Sequence, residues 1–575
     1  MNNDTILKHL SRRNFIRNIV VATTGVVLLP SAISSCKKDD HDDPDNDGFN
    51  EGVASFDPSQ HSIILWTRYT PPNYEKSKPR IVLDVAKDKG FKTVIVSQSV
   101  MVDTENDYTV YVDVSHLQSN TRYFYRFRNE KSKAISITGE TKTLPAPGQV
   151  SEIKMAVVSC ANFQAGLFNV YGAVAASDAD IVIHLGDYIY EYEAGGYGTN
   201  SSTIPLNRAH QPAGEIITLD EYRTRYRQYR SDKQLQKAHQ FKPFICVWDD
   251  HEIANDAYKN GAENHQPDEG DFLTRKLNAI RAWQEYLPAR VQDNSKIYRS
   301  FEIDNLVSLH MLDTRIAGRD KQLDYANYLT PTGLDGPKFF ADWQNPQRTI
   351  LGQEQRNWLA SKLSSSTSKW QVLGNQVLMG KMFIPAELLL LVGQIAAGST
   401  DPALFVQYNT AVTQLVILKT RLLNNDPTLS AAEKARVQTV LPYNLDAWDG
   451  YPVERELIFG AAAGKKLISL AGDTHNAWYS DLSDIQGNKK GAEFATASVS
   501  SPGFEAIFGN DPATLSGFEQ SNTLLINDLK YLNASKRGYV MASFTASQAK
   551  AEWRFTNTLT IINPATVTGK VAIES

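Results

Sequence analysis

Cysteine is scarce in this chain. Its 575 residues contain three, Cys36, Cys160 and Cys246. So few thiols cannot staple a chain of this length, which excludes a disulfide scaffold. A charge excess of one sign is missing too. Against 59 Lys and Arg stand 64 Asp and Glu, a formal net charge of −5. That excludes, as a default, a strongly basic protein that coats nucleic acid. Long apolar runs are also absent. The stretch from Ile384 to Gly398 is interrupted by Pro385, Glu387 and Gln394. It is too short and too broken to span a bilayer and suits a lid or packing helix. What remains is a globular composition, 42% hydrophobic and 10% aromatic, in a length that suits roughly two to four domains.

The first residues read as an address. Ser11-Arg-Arg-Asn-Phe-Ile-Arg17 precedes an apolar stretch from Ile19 to Ile33. A charged start and a short apolar core make an export signal rather than a span. The Arg12-Arg13 pair with Phe15 resembles a twin-arginine signal, the address of a route that carries folded proteins. Ile33-Ser-Ser-Cys36 resembles a bacterial lipoprotein cleavage site, which would make Cys36 a lipidated first residue. A plain signal peptide with an incidental cysteine is the alternative. Residues 37–49, KKDDHDDPDNDGF, cannot form a core and read as an acidic tether. Nothing there fixes a metal-binding geometry for Asp40, His41 and Asp42.

Residues 50–147 carry short β-branched and aromatic runs separated by turns: Ser62-Ile-Ile-Leu-Trp, Arg80-Ile-Val-Leu-Asp-Val, Tyr108-Thr-Val-Tyr-Val-Asp-Val and Arg122-Tyr-Phe-Tyr-Arg-Phe. That rhythm predicts a small antiparallel β-sandwich, closed by Leu144-Pro-Ala-Pro-Gly. From residue 150, continuous apolar strands alternate with helical stretches, the pattern of a buried α/β sheet. Six of these strands run into polar residues: Cys160, Asp187, Asp249-Asp250-His251, Asp313, Asn375 and Asp473-Thr-His475. Ligands of open α/β sheets bind at the carboxyl ends of strands. Cys, Asp, His and Asn are metal-ligand side chains. One such strand end is ordinary capping; six are hard to explain that way.

Gly186-Asp187-Tyr188-Ile189-Tyr190 sets a carboxylate and a phenol three residues apart, and an anionic phenolate suits a hard ion such as Fe³⁺. Cys160 and Asn162 alternate and can face the same side. A thiolate from Cys160 would add negative charge to that ion. With Asp249, Asp250, His251, Glu252, Asp473 and His475 there are more donors than one ion needs. Two ions about 3.5–4 Å apart would clamp the attacking and leaving oxygens of an in-line displacement.

These motifs resemble the calcineurin-like metallophosphoesterases, with Cys160-Ala-Asn162 in place of D-x-H and Gly472-Asp-Thr-His475 in place of G-H-x-H. As a set they are similar to the alkaline phosphatase D (PhoD)-like family. Gly52-Val-Ala-Ser-Phe-Asp-Pro58, Ile64-Leu-Trp-Thr-Arg68, Val247-Trp-Asp-Asp-His-Glu252, Leu312-Asp-Thr-Arg315, Leu373-Gly-Asn-Gln376, Asp446-Ala-Trp-Asp-Gly-Tyr-Pro452 and Ser500-Ser-Pro-Gly503 follow in the family's order. The resemblance covers about residues 50 to 555. Phe56 stands where the family usually has Gly, and the insertion at 384–440 is longer than expected. The resemblance implies an α/β fold: a calcineurin-like metallophosphoesterase β-sandwich flanked by helices over 150–555, behind a small N-terminal all-β (fibronectin/Ig-like) domain. Residues 556–575 would be a C-terminal extension. It implies Fe³⁺ and Ca²⁺. Cys160, Asp187, Tyr190 and His475 would hold the iron, with Asp187 bridging to calcium. Asp250, Asn375 and Asp473 would sit on the calcium side, and Asp249 could instead cap a turn. His251 and Asn162 are the catalytic candidates, His251 for protonating the leaving oxygen or steadying the phosphoryl oxygens.

Other residues have structural explanations. His184 and Cys246 lie inside apolar strands and read as core. A Cys160–Cys246 disulfide would consume a proposed ligand. Arg315 suits a phosphate contact or a structural Asp–Arg pair. Tyr222-Arg-Thr-Arg-Tyr-Arg-Gln-Tyr-Arg230 reads as an amphipathic helix with solvated arginines rather than a nucleic-acid contact. The expected protein is an exported, monomeric phosphoesterase acting on a phosphate-ester small molecule or a phospholipid. It would sit in the periplasm or at the cell surface, held to the membrane through Cys36, with no stable nucleic-acid partner. A binding protein on a phosphatase-like fold, or a zinc or manganese phosphoesterase of the wider superfamily, are the alternatives.

Overall fold

The computed structural model describes residues 48–72, 78–132, 134–330, 333–396 and 401–575. The Arg12-Arg13 pair, Cys36 and residues 37–47 of the tether lie outside the described residues.

The apolar strands after residue 150 form two mixed sheets. In the first, Glu152–Val158, Ile181–His184, Pro243–Cys246 and Val53–Phe56 pair in parallel. Arg537–Thr545 and Ala549–Thr556 add antiparallel strands beside Glu152–Val158. In the second, Val307–Met311, Trp370–Gly374, Lys466–Ala471 and Lys489–Ala495 run parallel. Ile181–His184 and Pro243–Cys246 are buried at every position, as unbroken apolar runs require. Val157, Ile183 and Val540 of the first sheet share one core with Val372, Ile468 and Phe494 of the second. Helices such as Asn169–Ala176 and Lys233–Phe241 cover the outside.

The N-terminal strands make a second, smaller core. Phe49, read from sequence as the end of the tether, is buried in it beside Tyr69. Arg122–Asn129 alternates buried and partly exposed residues, the signature of a strand with one covered face. Its sheet, of Val94–Met101, Arg80–Ala86, Arg122–Asn129 and Gly139–Lys142, is antiparallel. The facing strands Val53–Phe56, Ile63–Arg68 and Thr109–Val114 continue the first large sheet, because Val53–Phe56 pairs with Pro243–Cys246. Hydrogen bonds therefore cross the 147–150 boundary. The segment there is pinned as well: the Asp304 carboxylate accepts from the backbone N–H of Gly148, Gln149 and Val150 at 2.8–2.9 Å. At the other end, Thr566–Glu574 pairs along Ala549–Thr556 as the sheet's edge strand. Residues 556–575 thus complete the sheet.

The 384–440 segment is helical over Ala386–Ala396, Pro402–Leu423 and Ala431–Gln438. Phe383–Pro385 and Val440–Pro442 pair antiparallel, so it leaves and rejoins the fold at one point. Among the described residues, no helix is long and apolar enough to cross a membrane.

Candidate metal centre

The parallel strands of both sheets deliver their polar residues to one edge. Four of these residues adopt left-handed backbone: Cys160 (φ 61°), Asp187 (φ 55°), Asp473 (φ 63°) and His475 (φ 66°). Such conformations cost about 1–3 kcal/mol each and persist only where the surroundings enforce them. The enforcement is visible. The Cys160 and Ala161 N–H groups donate to the Gly186 and Asp187 carbonyls at 3.2 and 2.8 Å. Gly186 itself has φ +102°, and a Cβ there would fall 2.4 Å from both the Cβ and the backbone nitrogen of Asp249. Only glycine lets the two turns touch.

One half of the site is built from mixed donors. Cys160 Sγ, a carboxylate oxygen of Asp187 and a ring nitrogen of His475 lie within 4.8 Å of one another, all buried. The Tyr190 hydroxyl donates to Asp187 at 3.0 Å and lies 3.1 Å from His475 Nε2. Ser501 Oγ lies 2.7 Å from that hydroxyl and 3.0 Å from the Cys160 carbonyl. His475 Nδ1 is 2.8 Å from the Pro502 carbonyl, which accepts its proton and leaves Nε2 for the cluster. Burial and the Asp187 carboxylate push the Cys160 thiol well above its usual range. Burial, Asp187 and Cys160 do the same to the Tyr190 phenol. A cation among these groups reverses that preference, because it stabilises thiolate and phenolate.

The other half is carboxylate. Oxygens of Asp249, Asp250 and Asp473 lie within 4.8 Å of one another, as do ligand atoms of Asp187, Asp250 and His251. Asp187 and Asp250 are thus shared between groups. The buried Arg315 guanidinium sits among the acids. It pairs with Asp249, with Asp446 at 2.9 Å, with Asp473 at 3.0 Å and with Asp250 at 3.6 Å. Arg319 also pairs with Asp446, at 2.5 Å. Asp313 instead takes the Arg315 backbone N–H at 2.9 Å. Burial drives the Asp249 carboxyl well above its usual range, against the pull of Arg315. Asp249 Oδ2 is buried without a hydrogen-bond partner. Two guanidiniums among Asp187, Asp249, Asp250, Asp446 and Asp473 leave carboxylate in excess, so the donor set fits a bound cation.

His251 Nδ1 lies 2.7 Å from the buried Glu191 carboxylate, and its ring packs 4.2 Å from the Tyr190 ring. Burial alone would lower its pKa, but Asp250, Glu191 and Asp187 raise it well above the usual value. The other two sequence candidates are held differently. The Asn162 amide donates to the Tyr197 carbonyl at 3.0 Å, and its oxygen accepts from the Gln164 N–H at 3.2 Å. Asn375 accepts from the Trp448 indole at 3.1 Å and donates to Ser469 at 3.2 Å. Both bond patterns hold local structure. His184 is core: it bonds the Tyr171 hydroxyl at 2.7 Å, and burial lowers its pKa to about 3. Cys160 and Cys246 are both free thiols.

Several contributors had no sequence signal. Glu252 accepts from the Asp187, Tyr188 and Asp249 N–H groups at 2.6–2.9 Å and so ties two ligand turns together. Tyr197, in a Gly-rich loop, stacks on His475 with centroids 6.1 Å apart. The Arg-rich helix, Leu219–Arg230, corrects the expectation of solvated arginines. Arg223, Arg225 and Arg230 are buried. Arg225 donates to the Tyr190 carbonyl and to the Gln211 carbonyl at 3.0 Å, which braces the ligand loop. Arginine serves this role because its fixed fork of donors can satisfy several carbonyls at once.

Two sheets that present such a donor set at their strand ends define a metal-dependent phosphoesterase. The PhoD-like phosphatase model matches residues 155–553, and the model of the family's N-terminal domain matches 35–145. The chain belongs to the PhoD-like phosphatase family. It is 32% identical over 524 residues to alkaline phosphatase D of Bacillus subtilis (strain 168), covering 88% of this chain and 77% of that protein. A solved structure of PhoD is similar with a TM-score of 0.71 at 29% identity, over 92% of this chain and 90% of that one. A purple acid phosphatase from yellow lupin (Lupinus luteus) seeds shares the fold at a TM-score of 0.50 and 13% identity, over 88% and 71% of the two chains. The fold is thus the α/β metallophosphoesterase architecture behind an N-terminal β domain, and the chain is a hydrolase acting on phosphate esters.

Proposed function

We propose that the chain is an exported phosphoesterase that uses Fe³⁺ and Ca²⁺ to hydrolyse phosphate mono- or diesters. The observation that carries this reading is the division of one site into two donor sets joined by Asp187. Thiol, phenol and imidazole in Cys160, Tyr190 and His475 suit iron; the carboxylates of Asp250 and Asp473, with the Asn375 carbonyl, suit calcium. Cations bound there would supply an activated hydroxide and screen the phosphate charge. The protein's own groups do the rest. Glu191 fixes the His251 ring through Nδ1, which leaves Nε2 beside Asp187 and Asp250. With its raised pKa, His251 holds a proton to give to the leaving oxygen. Asn162 positions the Tyr197 loop against His475.

The twin-arginine-like start and Cys36 support export to the periplasm or cell surface as a lipid-anchored monomer without a nucleic-acid partner. Metal analysis of the purified protein and turnover of a nitrophenyl phosphate ester test the reading. Iron with calcium, and a visible tyrosinate band lost in Tyr190→Phe, are expected. Zinc or manganese would move the chain to the wider superfamily. No metal and no turnover would leave a binding protein.

A further inference from the structure

We propose that the cavity between the 384–440 insertion and the C-terminal helices holds the alkyl or acyl chain of a lipid-like phosphate ester. The inference rests on the phosphoesterase reading and assigns its substrate class. The cavity encloses about 570 Å³, its open mouth included, on the roughly 300–1,000 Å³ scale of small-molecule clefts. Leu388 and Val392 of Ala386–Ala396 and Tyr408 of Pro402–Leu423 form one wall. Trp478, Phe504 and Phe508 form the other. No lining residue is charged. Phe504 and Phe508 are only half-buried, so the fold alone does not close off this apolar surface.

The wall is continuous with the metal centre. The Trp478 indole donates to the Thr474 hydroxyl at 2.8 Å, and Thr474 lies between Asp473 and His475. The Pro502 carbonyl that takes the His475 proton is two residues before Phe504. Two rings of the cavity are therefore set by the same turns that set the metal-ligand candidates. A sugar or nucleotide would need hydrogen-bonding partners that this lining is poor in. A hydrocarbon chain needs only the apolar surface, and its attached phosphate would then fall at the acidic cluster's edge of the same turns. The insertion, which supplies half the wall, thereby acquires a use.

The test is the chain-length dependence of kcat/KM for methyl, butyl and hexyl p-nitrophenyl phosphate diesters on the metal-loaded protein. Each buried methylene contributes about threefold to fourfold, so a rise of about tenfold or more from methyl to hexyl is expected. Val392→Trp, which fills the cavity, should collapse the hexyl-to-methyl ratio. Val406→Trp, at an exposed position of the neighbouring helix, should keep it. Calorimetry with hexylphosphonate and methylphosphonate reads binding without turnover. Tighter hexylphosphonate binding with a more negative heat capacity is expected. A flat chain-length series with measurable methyl-ester turnover, or equal phosphonate affinities, overturns the proposal. Absence of all turnover would overturn the phosphoesterase reading instead, and the phosphonate comparison would still decide the cavity.

Discussion

The two halves of the metal centre reach electrical balance differently. Around Cys160 the groups are protonated and bond one another: Tyr190 to Asp187, Ser501 beside Tyr190, His475 to the Pro502 carbonyl. Around Asp250 they are carboxylates gathered on the Arg315 guanidinium. The first half is held by strained turns and by neighbours that remain when no cation is bound. The second is held by charge. A cation gained or lost should therefore change the energy of the carboxylate half more, and change the protonation of the other half.

Asp187 belongs to both halves, so its removal gives the largest break. Asp187→Ala is expected to abolish turnover, a loss on the order of 10⁴-fold, as when one member of a unit is deleted. Metal analysis should show both ions depleted; retention of wild-type activity would sink the site assignment. Arg315→Gln comes next and separates the halves. It leaves Asp249 and Asp473 without their buried partner, a loss of about 3–5 kcal/mol in the chelated protein. Urea unfolding with and without calcium checks this, and calcium should restore much of the loss. Cys160→Ala sharpens the contrast from the other side. Turnover should fall by about 10²–10³-fold or more, the scale of one lost charge-stabilising group. Iron should be lost and calcium retained, while metal-free stability changes little beyond the small volume removed.

Much of this was legible from the residues. Apolar runs ending in Cys, Asp and His marked both the strands and the candidate ligands, because a buried parallel strand must be apolar and its carboxyl end is where the chain turns outward. The bracing was not legible. Arg225 looked like a solvated helix residue, since spacing on a helix cannot reveal that Tyr190 offers a carbonyl there. Tyr197 reaches His475 across 278 residues of chain. Asp446 meets Arg315 across 131. Contacts at such separations depend on how strands are ordered in the sheets, and one sequence does not encode that in any local pattern. The shared sheet of the N-terminal strands was hidden for the same reason: Val53–Phe56 reads the same whether or not Pro243–Cys246 lies beside it.

Glu252 gives the smallest and most discriminating break, because it touches both halves only through backbone. Its carboxylate takes N–H groups from the turns of Asp187 and Asp249. In Glu252→Gln one acceptor oxygen becomes an NH₂ facing a donor, so the turns should part slightly, with a loss of about 10- to 100-fold in turnover. Burial, then the Asp187 charge, raises the Glu252 pKa to about 8. Between the unfolded and folded values, the folded state keeps a proton that the unfolded state has released, so stability falls as pH rises. The contribution is complete below the unfolded value near 4.5 and is lost as pH rises through about 8. Thermal unfolding of the chelated protein should therefore show stability falling over that window, and Glu252→Gln should flatten the fall. Metal loading should also flatten it in the wild type, since a cation beside Asp187 screens the charge that helps raise Glu252. If the wild-type slope is the same with and without metal, Glu252 does not sense the shared ligand, and the two halves are joined less closely than the geometry implies.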